Sequence, residues 1–248
     1  MVRVASVPTA VEGDLLPALV NGFSPRVVLS SGSDVYSSAR AGMVDLVISH
    51  YGHRDCEQFV LDGLGEWPRT VFSNQMALVG PASDPARVRG LGDAVEAFAR
   101  IAKARSPFVL NDLDGVRYLT EVLWNAAGRP PRDGWIVDAK QQKADAMTLA
   151  AKLGGYSLWG LTPFLRTRKQ MTFALEPLVL ADPLLHRLMV SIVVRIPGSN
   201  IAGARALQAH LLAPTTQARI RATPYPTSER VTWVPAGRHN RTAMLPKA

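Results

Sequence analysis

The sequence predicts an α/β protein built on mainly parallel sheets, and three observations lead to this fold class. Strand-like and helix-like segments alternate from Val2 to Gly63, and such repetition with short turns implies right-handed crossovers between parallel strands. Strand-like runs rich in valine and isoleucine, such as Val44–Ser49 and Leu188–Ile196, are typical of strands buried on both faces. The 248 residues, 47% of them hydrophobic, suffice for one or two globular units.

The first third of the chain contains three predicted strand–helix units. Short apolar runs predict the strands, and apolar residues at three- and four-residue spacing predict the helices, the last of which ends at a glycine. In chain order these are strand Val2–Val7, helix Asp14–Val20, strand Arg26–Ser30, helix Asp34–Ala41, strand Val44–Ser49 and helix Asp55–Gly63.

The alternation changes after Gly63. Thr70–Phe72 and Gln75–Val79, on either side of Ser73-Asn74, are predicted to form a strand that leaves the first unit. A second α/β unit follows, with helix Leu91–Ala104, strand Pro107–Leu110, helix Gly115–Ala127 and helix Asp138–Leu153. The last third has strand Leu188–Ile196, helices Ile201–Leu212 and Thr215–Arg221, and a proline-rich tail from Thr223 that we expect to wrap the surface or fray.

The charge balance favours an anionic ligand or partner. The chain has 28 basic and 20 acidic residues, a net charge of +8 and a pI near 10.1, which attracts anions. Nucleic acid is disfavoured, because the denser basic clusters (Arg166, Arg168, Lys169; Arg219, Arg221) lack the interleaved aromatic residues of a stacking platform. No apolar run reaches the ~18 residues of a membrane-spanning helix. We therefore predict neither nucleic-acid binding nor membrane insertion.

The N-terminal residues already form a predicted strand and show no leader pattern. We therefore expect either a cytoplasmic protein or a periplasmic one from which a leader has been removed. The sequence contains no G-x-G-x-x-G, P-loop, G-x-S-x-G or H-E-x-x-H pattern, so the common reasons to propose an enzyme are missing and no cofactor is predicted.

Hydroxyl-bearing turns follow the first two predicted strands. Ser6 and Thr9 lie after the first strand, and Ser31-Gly32-Ser33 lies after the second. Ligands of open parallel sheets bind at the carboxyl ends of strands, where hydroxyls and amides converge. Both turns therefore suit an anion. The alternative is that Thr9 and Ser33 only cap the helices that follow, for about 1 kcal/mol each.

A third polar turn, Asn111-Asp112-Leu113-Asp114-Gly115, follows the strand that ends at Leu110. Asp114 is the predicted N-cap of the next helix, and Arg117 lies in its first turn, where a positive charge opposes the helix dipole. Either Arg117 binds an anion or it forms an internal pair with an aspartate, and the sequence leaves both open.

The loop His50-Tyr51-Gly52-His53-Arg54-Asp55-Cys56 contains three kinds of zinc ligand. Its spacing lacks the second ligand pair of a standard zinc motif, so we expect no metal but histidines that cap, hydrogen-bond or line a cleft. Cys56, the single cysteine, excludes an internal disulfide and any multi-cysteine metal site. It falls on an apolar helix flank with Phe59 and Val60, which predicts a buried structural thiol.

Six segments, by their order and spacing, resemble a known family. They are Ala5–Leu16, Gly42–Ile48, Phe59–Gly63, Val79–Pro85, Leu123–Gly128 and Gly155–Leu158. Together they resemble the tungstate-binding branch of the type II periplasmic substrate-binding proteins, from about residue 2 to about residue 222.

The resemblance implies two α/β lobes joined by two crossing strands, near Gln75–Gly80 and Leu188–Val193. The first lobe would be discontinuous, residues 1–78 plus 190–248, and the second would be residues 79–189. Proteins of this family close on a small oxyanion or related solute and deliver it to an ABC importer. The implied protein is a monomeric, non-catalytic binding protein with an ABC permease as its partner. A cytosolic ligand sensor on the same fold and an enzyme are the alternatives.

The family's ligand turns correspond to turns named above, with substitutions. Ser6 and Thr9 keep hydroxyls from the family's run of threonines and serine, and Ser31-Gly32-Ser33 replaces its glycine–threonine–glycine. Its arginine-containing turn appears as Leu110–Val116 without the arginine, and Trp159-Gly160-Leu161 replaces its late threonine–aspartate–arginine.

The resemblance leaves two ligand classes open. One is an oxyanion such as tungstate or molybdate. The other is a small organic acid framed by Trp159, Tyr51 and Tyr118, whose carboxylate would meet Arg117, Lys140 or Lys143. The candidate ligand-binding residues are Ser6, Thr9, Ser31, Gly32, Ser33, His50, Asn111, Asp112, Asp114, Gly115, Arg117, Lys143 and Trp159.

Overall fold

The computed structural model describes residues 1–32, 34–170, 174–223 and 233–236. Its strands are β1 (Val2–Ser6), β2 (Val27–Ser31), β3 (Leu46–His50), β4 (Arg69–Pro81), β5 (Phe108–Leu110), β6 (Ile136–Asp138), β7 (Tyr156–Gly160), β8 (Leu175–Val179), β9 (His186–Val193) and β10 (Trp233–Pro235). Its helices are α1 (Pro8–Glu12), α2 (Leu15–Val20), α3 (Val35–Arg40), α4 (Arg54–Leu61), α5 (Ala94–Ala104), α6 (Asp114–Ala126), α7 (Ala146–Leu153), α8 (Leu161–Gln170), α9 (Ile201–Leu212) and α10 (Pro214–Ala222).

The chain divides into two compact units. Unit 1 comprises Met1–Asn74 and Arg187–Ala248, and unit 2 comprises Gln75–His186. The observed boundaries lie after residues 74 and 186. The boundaries expected from the sequence, after residues 78 and 189, are four and three residues later. Each unit combines a sheet with helices, so the predicted α/β class is confirmed.

The sheet of unit 1 has the strand order β2-β1-β3-β9-β4, with β10 also paired to β4. β1 is parallel to both β2 and β3, whereas β9 is antiparallel to β3. The three parallel strands therefore end at one edge of the sheet, and β9 begins at that same edge.

Asp45 connects the N-terminal and C-terminal parts of unit 1. Its carboxylate is 1% exposed and accepts hydrogen bonds from the Arg3 backbone N (2.8 Å), the Arg3 Nη2 (2.6 Å) and the Asn200 backbone N (2.9 Å). Burial alone would raise the pKa of Asp45, but these hydrogen bonds outweigh it and hold the pKa below its usual value. The carboxylate is therefore ionised and braces the sheet at neutral pH.

The sheet of unit 2 has the order β4-β7-β5-β6, with β8 also paired to β4. β5 is parallel to β6 and β7, and β4 is antiparallel to β7 and β8. A buried tyrosine, Tyr156, anchors the loop after β4, because its hydroxyl accepts from the Ala86 N (2.9 Å) and donates to the Asp84 Oδ1 (2.8 Å). Gly80 gives this ring room, since a Cβ there would meet the Tyr156 Cδ1 at 2.5 Å.

Several predicted elements differ from the observed ones. The predicted helix Asp138–Leu153 is wrong in its first half, because Asp138 ends β6 and α7 begins only at Ala146, where the Asp145 carboxylate caps it by accepting from the Thr148 N at 2.8 Å. Thr70–Phe72 and Gln75–Val79 form the single strand β4. Neither α8 nor β8 was predicted.

The predicted tail beyond Thr223 lies outside the described residues except for 233–236. There, Trp233–Pro235 forms β10, which pairs antiparallel with β4. Within the described ranges, no helix combines the length and the apolar character that crossing a membrane requires.

Candidate functional site

Three polar residues end the parallel strands of unit 1 at one edge. The register pairs Ser6 with Ser31 and with Ile48, two residues before His50. Because residues in register, and residues two apart on one strand, share a face of the sheet, the side chains of Ser6, Ser31 and His50 share one face. The backbone register thus places the two predicted turns on neighbouring strands.

The hydroxyls of this edge differ in how they are engaged. Ser6 is fully buried, and its Oγ donates to the Val7 carbonyl at 3.1 Å. Ser31 is exposed, and the Gly32 N donates to the Ser6 carbonyl at 3.1 Å. Thr9 is the second residue of α1, whose N-cap is Val7, so the alternative in which Thr9 caps this helix is wrong. Ser33 lies outside the described residues.

His50 carries an unsatisfied ring nitrogen. Its Nδ1 is enclosed and has no hydrogen-bond partner among the described residues. Burial, and after it the electrostatic effects of Arg187 and His53, lower the pKa of His50 to about 3. The imidazole is therefore neutral at pH 7 and offers one N–H donor.

Arg187 brings a guanidinium to the same edge, and it is the functional candidate that the sequence did not reveal. It lies two residues before Met189, which pairs with His50 across the β3–β9 ladder. Burial lowers the pKa of Arg187, yet no described residue forms an ion pair or hydrogen bond with its side chain. The available signal was a single arginine at the start of an apolar strand, Arg187-Leu188-Met189-Val190.

In unit 2, Asn111 follows β5 and is locked in place by its own fold. Its Nδ2 donates to the Leu158 carbonyl at 3.3 Å, and its Oδ1 accepts from the Leu113 N at 2.9 Å. Both ends of this buried amide are thus bonded within unit 2, one to β7 and the other to the turn after β5. α6 has Leu113 as its N-cap residue, so the predicted capping role of Asp114 is wrong.

Arg117 forms the internal pair that the sequence left open, with Asp138 as the partner. Its two terminal nitrogens each donate to one Asp138 oxygen at 2.9 Å, and its Nη1 also donates to the Asn111 carbonyl at 3.1 Å. These bonds from Arg117 lower the pKa of Asp138. The guanidinium therefore braces the ends of β5 and β6.

The other unit 2 candidates lie in different surroundings. Asp112 and Lys143 are exposed, and Gly115 is half-buried in the first turn of α6. Trp159 is 9% exposed and packs within a hydrophobic cluster, so it forms part of the core of its unit. Thr162, which sequence reasoning missed, begins α8 just after β7. Its enclosed hydroxyl has no partner among the described residues.

His53 and Cys56 of the loop His50–Cys56 have roles other than metal binding. The His53 Nδ1 accepts from the Asp55 N at 3.2 Å and so caps α4, as one of the expected roles. Cys56 is a buried free thiol, which confirms that prediction. Across the described ranges, no three histidine, cysteine, aspartate or glutamate side chains are grouped as a metal site requires.

Comparison with known proteins gives both sequence and structural relatives. No protein-family model matches the chain. A Haloferax volcanii protein named as an ABC transporter anion-binding protein is 28% identical over 214 residues, covering 82% of this chain and 62% of that protein. The tungstate-binding protein TupA of Peptoclostridium acidaminophilum is 25% identical over 83% of this chain and 74% of its own length.

The fold is also similar to a solved structure. The tungstate-binding protein TupA from Desulfovibrio alaskensis G20 superposes with a TM-score of 0.80 at 21% identity, over 94% of this chain and 98% of that one. This chain spans less than two thirds of the Haloferax relative. All three relatives are named as binding proteins and none as an enzyme, in agreement with the predicted absence of catalysis.

Proposed function

Because the chain has the type II periplasmic-binding-protein fold and resembles its tungstate-binding branch, we propose that it is the solute-binding protein of an ABC-type importer and that its solute is a small oxygen-bearing anion. The role implies a location outside the cytoplasm and a permease as the partner. It uses no catalytic residue.

The observation that carries this proposal is the strand-end edge of unit 1. Ser31 at the end of β2 and the neutral His50 ring at the end of β3 share one face of the sheet there, and Arg187 lies at the start of β9 beside His50. A desolvated anion needs several converging donors, including charge-assisted ones. The named ligands of two relatives, an anion and tungstate, are of the same chemical class.

A binding screen tests the proposal. The purified protein, in a buffer with chloride as its only anion, is titrated calorimetrically with tungstate, molybdate, sulfate, phosphate, lactate and succinate, and with glucose and glycine as uncharged and zwitterionic controls. Thermal unfolding gives a second readout. An anion present at 100 times its dissociation constant adds about 2.7 kcal/mol of stability, which raises the melting temperature by several degrees. Binding of none of the six anions, whether or not a control binds, would overturn the proposal.

The same screen distinguishes the two ligand classes. Tungstate or molybdate binding would indicate that the substituted turns still enclose a tetrahedral oxyanion. Binding only of lactate or succinate would assign the site to an organic carboxylate.

A further inference from the structure

Arg187 and His50 are neighbours because β9 runs antiparallel to β3. His50 lies opposite Met189, and Arg187, two residues earlier, shares the face of Met189. Such diagonal neighbours are about 7–8 Å apart, within reach of long side chains. The lowering of the His50 pKa by the Arg187 charge agrees with this proximity.

Among the residues that the structure describes, neither the Arg187 guanidinium nor the His50 Nδ1 has a hydrogen-bond partner. Arg187 is half-buried, and an arginine that loses part of its hydration is usually paired, since lost hydration is costly. Arg187 has no carboxylate partner within the described part of the chain, and the enclosed His50 Nδ1 has no hydrogen bond there. One external anion would satisfy both groups.

Arg117 of unit 2 shows how an arginine near a strand end is paired when a carboxylate is within reach. Arg117, the arginine that follows β5, has its charge balanced by the Asp138 carboxylate through two 2.9 Å bonds. Arg187 has no such carboxylate in the described ranges, which leaves its charge for an external anion to balance.

We propose that the Arg187 guanidinium and the His50 Nδ1–H together bind the anionic group of the solute on unit 1 and determine that this chain selects oxygen anions. This inference rests on the proposed function. The guanidinium presents parallel N–H groups to two oxygens, as in a carboxylate or a tetrahedral oxyanion, while the imidazole supplies one further donor.

The protonation state of His50 follows from its surroundings. The groups that act on its charge are Arg187 from β9 and His53 from the turn before α4, and both disfavour a second positive charge. His53 is itself fixed through its Nδ1, which accepts from the Asp55 N. His50 therefore contributes a hydrogen bond and no charge at neutral pH, and Arg187 carries the electrostatic attraction.

The first experiment replaces Arg187 with glutamine. The Arg187→Gln variant should bind the tightest anion of the screen at least tenfold more weakly, while its unfolding midpoint without anion stays the same or rises, because a desolvated charge is removed. Arg187→Lys keeps the charge but not the planar pair of donors, so its anion affinity should lie between those of the wild type and Arg187→Gln. Arg195→Gln is the matched control, since this exposed arginine follows the far end of the same strand.

The second experiment locates the donor on the His50 ring. The amide nitrogen of asparagine takes the place of Nδ1, and that of glutamine takes the place of Nε2. His50→Asn should therefore keep more anion affinity than His50→Gln. A purely structural histidine would show no such order in affinity once both variants are matched for melting temperature.

The outcomes separate the two proposals. If the wild-type protein binds none of the six anions, the proposed function and this inference are both overturned. If wild type binds and Arg187→Gln binds equally well, only the assignment of Arg187 is overturned. Equal losses in Arg187→Gln and Arg195→Gln would instead indicate long-range attraction by the net charge, and would also refute the assignment.

Discussion

Replacing Arg117 with alanine should destabilise unit 2 more than it weakens anion binding. Arg117 makes two charge-assisted bonds to Asp138 and one to the Asn111 carbonyl. Hydrogen bonds between charged groups contribute about 1.5–3 kcal/mol, but the two side chains are 30% and 14% exposed, so water screens part of this. We expect a loss of about 2 kcal/mol in the free energy of unfolding.

The assay is urea unfolding followed by circular dichroism, together with calorimetric titration of the tightest anion. Asp138→Asn and the double variant complete a mutant cycle, which should give a coupling energy of about 1–2 kcal/mol. Arg89→Ala is the control, because it breaks an exposed pair with Glu176, which is worth only about 0.2–1 kcal/mol.

The same pair predicts a pH dependence. Since Arg117 lowers the folded pKa of Asp138, the pair stabilises the fold above the unfolded pKa of about 3.9, and this contribution disappears as the pH falls through the lower folded value. The difference between wild type and Arg117→Ala should therefore shrink in acid to what the bond to the Asn111 carbonyl contributes. If Arg117→Ala lost anion affinity tenfold while its urea midpoint stayed unchanged, the bracing role would be refuted. Arg117 would then be assigned to ligand binding.

Three further predictions concern the scaffold. Asp45→Asn should lower the free energy of unfolding, measured in urea at pH 7, by about 3 kcal/mol. Because the folded pKa of Asp45 is lowered, this loss should shrink as the pH falls through that value. A loss that does not change with pH would contradict the argument. Gly80→Ala should lower stability by about 2 kcal/mol through overpacking against Tyr156, whereas Gly92→Ala, which faces open space, should not. Tyr156→Phe should cost about 1.5 kcal/mol, measured as a lower urea midpoint, and an unchanged midpoint would show that its two hydroxyl bonds contribute nothing.

The sequence predicts most of what local chemistry determines. Alternating elements and the buried run Val44–Ser49 predict the parallel strands, and the hydroxyl-bearing turns at Ser6 and Ser31 follow two strands that are neighbours in the sheet. These inferences need only the period of the apolar residues and the direction of parallel strands.

What the sequence does not predict depends on pairing across long separations. Arg117 meets Asp138, 21 residues away, only after β5 and β6 have paired. Arg187 reaches the edge of His50 because β9 returns antiparallel beside β3, and an apolar run carries no information about its direction in a sheet. The substituted ligand turns were therefore recognised, but the cation at their edge was not.

Unit 1 is built from two separate stretches of the chain, and this affects how it folds during translation. Unit 2 is one continuous stretch, Gln75–His186. In unit 1, by contrast, β3 pairs with β9, and Asp45 accepts a hydrogen bond from Asn200, which is synthesised 155 residues later. Nascent β3 therefore has an uncovered side until the last quarter of the chain emerges, and unpaired strand edges invite mispairing. We expect unit 2 to fold first during translation, and the half-built sheet of unit 1 to be the species that chaperones protect.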